Sequence, residues 1–292
     1  MIESHAHLTY YCFEKDEFTY IDLEGGEYTI CRGDRDQLIR KMEDSDITAW
    51  IEPAIDVNSN QKILALCDQY PDLIYPAVGI HPAWCNDCSE GEMEIVRNLS
   101  FDPRVVAIGE TGLDYYYDNS EQGKEKQKQF FLWHIELAHE HGLPLILHTR
   151  TLEAMADATD ILRDNKDLLY GGVCHCFKGS IDLAKIYVNK LHMHIGIGGA
   201  LLTEDESSYM LANVVYEIPL EYIILETDAP YVRPKKPGYI TGKQWKKAAN
   251  TSLILPKVAE KIAEIKGIAV EEVERVTDEN VRRVFRLTLQ NQ

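Results

Sequence analysis

His5 and His7 stand two residues apart near the start of the chain, and Glu110, His148, His175 and Asp228 follow at wide intervals, each closing a short apolar run. Imidazole nitrogens and carboxylate oxygens are the usual protein ligands of divalent transition metals. Alternate residues of an extended strand share a face, so the pair His5 and His7 can present two imidazoles to one ion. An isolated HxH carries little information; six ligand-type side chains, all at strand ends, carry far more. The competing account makes Glu110 and Asp228 salt-bridged and the histidines packed core residues. It requires strand ends to acquire, for packing alone, side chains that a core accepts only when they are paired or bound to metal.

For these groups to meet, the runs that carry them must lie side by side. Strand-like runs occur near Ile2 to His7, Thr48 to Ile55, Ile74 to Ile80, Val105 to Glu110, Leu143 to Thr149, Gly171 to Phe177, His192 to Gly198 and Tyr222 to Asp228, eight in all. Helical periodicity fills the intervals. In Glu121 to His141, Phe130, Phe131, His134, Leu137 and Ala138 recur at helical spacing and Gly142 supplies a stop before Pro144. Further helices fit Asp34 to Asp46, Ser59 to Tyr70, Leu152 to Asn165, Ile181 to Asn189, Asp205 to Val215, Leu255 to Lys266 and Val270 to Gln290. Strands alternating with helices predict a parallel sheet covered by helices. Eight such units in 292 residues predict a single (β/α)8 TIM-barrel domain over residues 1–292.

In a barrel of this kind the loops after the strands build the active site. Two of them exceed what the barrel needs, Tyr10 to Arg32 and Arg233 to Ser252, and are read as lid or substrate-contacting elements, with a surface excursion the equal alternative for the first. His192 and His194 repeat the HxH pattern but begin their strand, which puts them at the opposite, stabilising face. His134, His139 and His141 fall on a helix and are expected on the outer surface. Seven cysteines, an odd number, read as free thiols; the lone pair Cys85 and Cys88 lacks the second ligand pair that a zinc knuckle needs.

Composition bounds the partners. Hydrophobic residues are 45% and charged residues 27%, a globular balance, while 30 basic against 48 acidic residues give a formal net charge of −18. Such a field repels duplex nucleic acid at long range, although it leaves room for a phosphate-bearing substrate in a cleft where cations dominate locally. No signal peptide or run long enough for a membrane span is present in the sequence, and a cytoplasmic, monomeric protein with no membrane partner is expected.

With these residues assembled, the chain resembles the TatD family of metal-dependent deoxyribonucleases, themselves similar to the wider amidohydrolase barrels. The motifs that carry the resemblance are ESHAHL at Glu3 to Leu8, VGIHP at Val78 to Pro82, AIGETGLDYY at Ala107 to Tyr116, LPLILHTR at Leu143 to Arg150, VCHCF at Val173 to Phe177 and LETDAPY at Leu225 to Tyr231. KVAEKIAEIKG at Lys257 to Gly267 and DENVRRVF at Asp278 to Phe285 resemble the family's closing helices. The resemblance implies one metal bound by His5, His7 and Asp228, a second by His148 and His175, and Glu110 bridging the two. Two ions about 4 Å apart can activate a bridging water and stabilise charge on an attacked phosphorus. The donors suit Zn, Mn, Co or Ni, and a carboxylate bridge also tolerates Mg.

Asp228 is the candidate to orient or deprotonate that water, and His81 resembles a residue that contacts the substrate phosphate, so Asp228, Glu110 and His81 form the candidate catalytic set. Arg150, Tyr115 and Lys178 are the candidate substrate contacts, with the aromatic residues Tyr115 to Tyr117, Tyr231 and Trp245 suited to stacking on bases. Lys235, Lys236, Lys243, Lys246 and Lys247 form a basic loop that could funnel phosphate or simply be solvated. Several positions depart from the family pattern: Ala83 replaces a histidine, Tyr117 an arginine, Lys178 a small residue, and Asn250, Thr251 and Ser252 stand where an Asn-Glu-Pro turn is usual. The metal positions are thus intact while the substrate side differs. Three functions follow: a phosphodiesterase acting on single-stranded nucleic acid ends, a small-molecule amidohydrolase, lactonase or phosphoesterase on the same binuclear site, or a non-catalytic interaction protein.

Overall fold

In a computed structural model, which describes residues 1–287, eight strands form one parallel sheet in the order β1-β4-β5-β6-β7-β8-β9-β10. They are β1 (Ile2–Glu3), β4 (Ala49–Pro53), β5 (Ile74–Val78), β6 (Ala107–Asp114), β7 (Leu145–Arg150), β8 (Gly172–Cys174), β9 (Met193–Ile197) and β10 (Ile223–Leu225). The cylinder closes where Ser4 N–H donates to the Leu225 carbonyl at 3.2 Å and Asp228 N–H to the His5 carbonyl at 2.9 Å. The architecture is the (β/α)8 barrel expected from the eight runs.

Helices α1 (Arg35–Glu43), α2 (Val57–Gln69), α3 (Glu90–Leu99), α4 (Glu121–His141), α5 (Leu152–Asp164), α6 (Ile181–Leu191), α7 (Glu206–Glu217), α8 (Gly242–Lys247), α9 (Leu255–Lys266) and α10 (Val270–Phe285) complete the chain. Caps set their bounds. Asp34, Asp56 and Ser89 each close a capping box, and Gly142 and Gly267 end α4 and α9 in the left-handed region. α3 was not foreseen between the third and fourth strands, although Met93, Val96 and Leu99 recur at helical spacing behind the Ser89 cap. The expected last helix stops at Phe285, and residues 288–290 of that expectation lie outside the described residues. None of the described helices is long and apolar enough to cross a membrane.

Ile2, Ala49, Ile51, Ala77, Ala107, Ile146, Val173 and Ile224 fill the bottom of the barrel and meet Val281, Phe285 and Leu287 near the end of the chain. The N-terminal end is thereby plugged with hydrocarbon, and the opposite end stays polar. The first excursion contains an unforeseen antiparallel hairpin, β2 (Phe18–Glu24) with β3 (Glu27–Gly33), turning at Gly25 and Gly26. It docks on the second excursion: Ile21, Ile240, Trp245, Ala248 and Ile254 form a satellite core, and Ile21 N–H donates to the Ala249 carbonyl at 2.9 Å. The hairpin is therefore a brace for the loop after β10, and from the start of this excursion Tyr10, Tyr11 and Glu14 line the two cavities at the mouth of the barrel.

Candidate metal centre

The six candidate ligands converge at the C-terminal rim. The carboxylate of Glu110 sits at their centre, and its two oxygens face different neighbours. Oε2 lies 3.7 Å from His5 Nε2 and 3.6 Å from His7 Nε2, whereas Oε1 lies 3.0 Å from His148 Nδ1 and 3.3 Å from His175 Nε2. Asp228 Oδ1 completes the first group, 3.9 Å from His5 Nε2 and 3.6 Å from His7 Nε2, and those two nitrogens are 3.3 Å apart. Ligands about 2.1 Å from a tetrahedral ion are separated by about 3.4 Å. The pairings of His5 and His7 with each other, with Glu110 and with Asp228 have the edge lengths of a coordination shell, and those of Glu110 with His148 and His175 have the edge lengths of part of another.

The outer nitrogens fix which lone pairs point inward. His7 Nδ1 donates to the Pro53 carbonyl at 3.1 Å, which leaves Nε2 with its lone pair toward the centre. His148 Nε2 lies 3.2 Å from Asp114 Oδ2, an interaction that turns Nδ1 to Glu110. His175 Nδ1 lies 3.5 Å from Glu226 Oε1, and His5 Nδ1 is buried with no partner among the described residues. Glu52 accepts from Leu8 N–H, Thr9 N–H and the Thr9 hydroxyl, clamping the loop that follows His7.

Local backbone makes these approaches feasible. A side chain at Gly112, where φ is +132°, would overlap the His148 carbonyl, so β6 and β7 can bring Glu110 and His148 together only with glycine there. A side chain at Gly196 would likewise collide with the Glu226 carboxylate inside the barrel.

Burial opposes charge on every group here. For Glu110 the imidazoles, His5 and His175 foremost, outweigh burial and hold its carboxyl well below the usual range; Asp228 is lowered for the same reason, with His7 leading. His7 is lowered by burial but raised further by Asp228 and Glu110, to about 9, and His148 is brought to about 9 by Asp114 and Glu110 against burial. Burial, then His175, lowers His5. With protons alone, imidazolium charge has to balance these carboxylates. A divalent cation supplies that charge and lets the imidazoles be neutral ligands, so the residues fit a metal.

His81 is different. Its Nδ1 accepts from Ala83 N–H at 3.0 Å, and burial, then His148, lowers it to about 3, so it is neutral with the proton on Nε2. That N–H faces Glu110 Oε1 at 3.9 Å, toward the cavity, and His81 also stands near Asp114 and His148 in a group that could hold an ion.

A cavity of about 470 Å3 opens over the centre. Arg150 and Lys178 line it, and among the described residues neither is ion-paired with a carboxylate; the Arg150 guanidinium stacks 3.8 Å above the Tyr116 ring. Tyr115, expected to contact substrate, is buried with its hydroxyl donating to Asp157 at 2.9 Å, and its neighbour Tyr117 lines the cavity instead. Trp245, expected to stack on bases, is buried in the satellite core. The basic loop does not reach the cavity: Lys235 pairs with Glu204, and Lys236 donates to the carbonyls of Pro237 and Ile240.

His134 is not on the surface: it is buried, with Nδ1 at 2.7 Å from the Phe130 carbonyl and Nε2 accepting from Ile80 N–H at 3.0 Å. His194 lies at the N-terminal rim beside Arg283. Asp114 and Glu226 were not singled out from the sequence. Both stand two residues or a multiple of two from a ligand on the same run, which is the signal that could have found them. A separate grouping of Asp22, Glu24 and Cys31 on the hairpin is balanced by Lys41.

The family model described as TatD related DNase matches residues 2–286. The chain is 33% identical over 269 residues to YabD of Bacillus subtilis, an uncharacterized metal-dependent hydrolase, covering 92% of this chain and 98% of that one. It is 31% identical over 267 residues to the 3'-5' ssDNA/RNA exonuclease TatD of Edwardsiella piscicida, covering 91% and 98%. The crystal structure of YjjV, a TatD homologue from Escherichia coli K12, superposes with a TM-score of 0.80 at 24% identity over 98% of both chains.

Proposed function

Because the chain belongs to the family of TatD-related DNases, metal-dependent hydrolases, we propose that it is a phosphodiesterase that removes nucleotides from the ends of single-stranded DNA or RNA. The observation that carries this reading is the division of Glu110, whose Oε2 serves His5 and His7 and whose Oε1 serves His148 and His175. His5, His7, Asp228 and Glu110 would hold one divalent ion, and Glu110, His148 and His175 would hold a second. Divalent ions bound there would supply a nucleophilic water near neutral pH and offset negative charge on phosphorus.

The chain's own groups do the rest. Asp228 takes the proton from the attacking water, its carboxyl being held ionised by His7 and its neighbours. His81 donates its Nε2 proton in a hydrogen bond to a phosphoryl oxygen, while Nδ1 accepts from Ala83 N–H. Arg150, unpaired and stacked on Tyr116, offers its guanidinium to the next phosphate. The imidazole and carboxylate donors accept Zn, Mn, Co or Ni, and the bridge accepts Mg.

The test is release of nucleotides from a labelled single-stranded oligonucleotide, ion by ion. Stepwise release from one end is expected, abolished by Asp228→Asn and lowered about tenfold or more in kcat/KM by Arg150→Ala. Hydrolysis of lactones, amides or phosphomonoesters by the same Asp228-dependent site, with no release from oligonucleotide under any ion, would instead assign a small-molecule hydrolase. The overall charge of −18 favours that outcome if the local cations prove ineffective.

A further inference from the structure

Beside the main cavity lies a second cleft of about 360 Å3, and the two share His7, Tyr10, Ile55 and Trp84. Its walls come from the loops after β1, β4 and β5, whereas Arg150 and Lys178 follow β7 and β8 on the other half of the mouth. The halves differ in chemistry. The cleft contains Glu14, Asp56 and one cation, Lys62, which is already bonded to Glu14 at 2.7 Å. Large aromatic faces stand open on it: Trp84 is 45% exposed and Tyr11 64%.

A strand end held at the metal centre sends its body in one direction and its terminal nucleoside in the other. The body carries a phosphate at every step and is drawn to Arg150 and Lys178; the nucleoside beyond the cut carries none and offers a flat aromatic base. We propose that the cleft over β1, β4 and β5 is the subsite for the terminal nucleoside, with Trp84 as the stacking platform for its base. This deepens the phosphodiesterase reading and rests on it. An exposed indole next to unattractive carboxylates suits a base and repels a continuing polyanion, so the arrangement selects strand ends over internal positions.

Calorimetric titration of the metal-loaded protein with deoxyadenosine monophosphate and with 2-deoxyribose 5-phosphate, which lacks the base, tests the assignment. The nucleotide is expected to bind more tightly than the sugar phosphate. Trp84→Ala should weaken the nucleotide about tenfold, roughly 1.4 kcal/mol, and leave the sugar phosphate within about twofold, with Trp84→Phe retaining the preference. Tyr11→Ala, at an exposed side chain, probes the same cleft if Trp84→Ala fails to fold. No change in nucleotide affinity, or equal loss for both ligands, overturns the subsite. Oligonucleotide hydrolysis unaffected by Trp84→Ala also defeats this proposal and leaves the phosphodiesterase reading standing. Base-dependent binding in a protein that hydrolyses no phosphodiester defeats the phosphodiesterase reading and keeps the cleft.

Discussion

The two ends of the barrel use the same kinds of residue to opposite effect. At the N-terminal end Asp278 accepts from Ile2 N–H at 2.8 Å, Asn280 donates to the carbonyls of Leu220 and Ile223, and Arg283 donates to His194, Glu221 O and Asn280. Apart from His194 Nδ1, which is buried without a partner among the described residues, these polar groups finish one another's hydrogen bonds, and hydrocarbon from Val281 and Phe285 closes the space above them. At the C-terminal end the outer atoms of His7 and His148 are tied to Pro53 O and Asp114, but the inner atoms of six residues face one another across gaps of 3.0 to 3.9 Å. Only convergence that the protein leaves incomplete distinguishes a metal centre from a polar plug.

Glu110→Gln gives the sharpest test of that difference. It removes the charge shared by both groups of imidazoles, so on the proposed two-ion reading metal content should fall to one ion per chain or none. Hydrolysis should drop on the order of 10³-fold or more, because several kcal/mol of charge stabilisation goes with the ions. Asn280→Ala at the other end should leave metal content and kcat alone while costing about 2–4 kcal/mol in urea unfolding, since two buried carbonyls lose their donor. Equal metal loading in the two variants would erase the distinction between the rims.

Asp114→Asn comes next. Asp114 orients His148 through Nε2 and accepts from the N–H groups of Tyr116 and Tyr117 through Oδ1, joining a ligand to the aromatic rim. Loss of the outer carboxylate should weaken one ion about 10–100-fold and leave the other nearly unchanged. A competitive chelator titration that resolves two steps would show it; two steps weakened alike would mean that the groups are not separate.

How much of this was visible beforehand depends on the element. The eight strands and the bounds of Glu121–His141 and Leu255–Lys266 were legible because buried strands read as apolar runs and long helices carry a full stripe with a stop. The positions of the six converging side chains were legible because a charged residue ending such a run is out of place in a core. Helix α3 and His134 were not. The first was overlooked although Ser89 caps it and Met93, Val96 and Leu99 mark one face, whereas a histidine on a helix is buried or exposed according to a tertiary partner, here Ile80 N–H, that local pattern does not contain. The hairpin was missed although the Gly25–Gly26 pair flanked by alternating residues announces one. Tyr115 and Trp245 were misassigned because sequence places a residue on a loop without saying which way it turns.

Acidification also probes the N-terminal rim, where His194→Gln isolates one group among the buried histidines that titrate. Burial, then Arg283, lowers His194 to about 4, below its unfolded value of 6.5. The folded state therefore excludes a proton that the unfolded chain binds between those values. Its contribution is complete above about 6.5 and is lost as pH falls toward 4. From pH 7 to pH 5 this group should cost the metal-free protein about 2 kcal/mol of unfolding free energy. His194→Gln, which can still accept from Arg283, should flatten the profile by that amount; an unchanged slope would show that His194 is charged in the folded protein and that the plug is less closed than its bonds indicate.

The smallest expected effect concerns the loop after β10. Lys243, Lys246 and Lys247 on α8 are exposed, and Trp245 between them anchors the helix in the satellite core, so their ammonium groups line neither cavity. At an ionic strength of about 0.15 M, charges farther than about 8 Å from a bound phosphate are largely screened. Replacing all three by alanine should change kcat/KM for a single-stranded oligonucleotide less than twofold and leave its salt dependence intact, while Arg150→Ala flattens it. A triple variant that lost more than Arg150→Ala would make α8 the phosphate funnel. The strand body would then lie over β10, and the cationic half of the mouth would have to be redrawn around that loop.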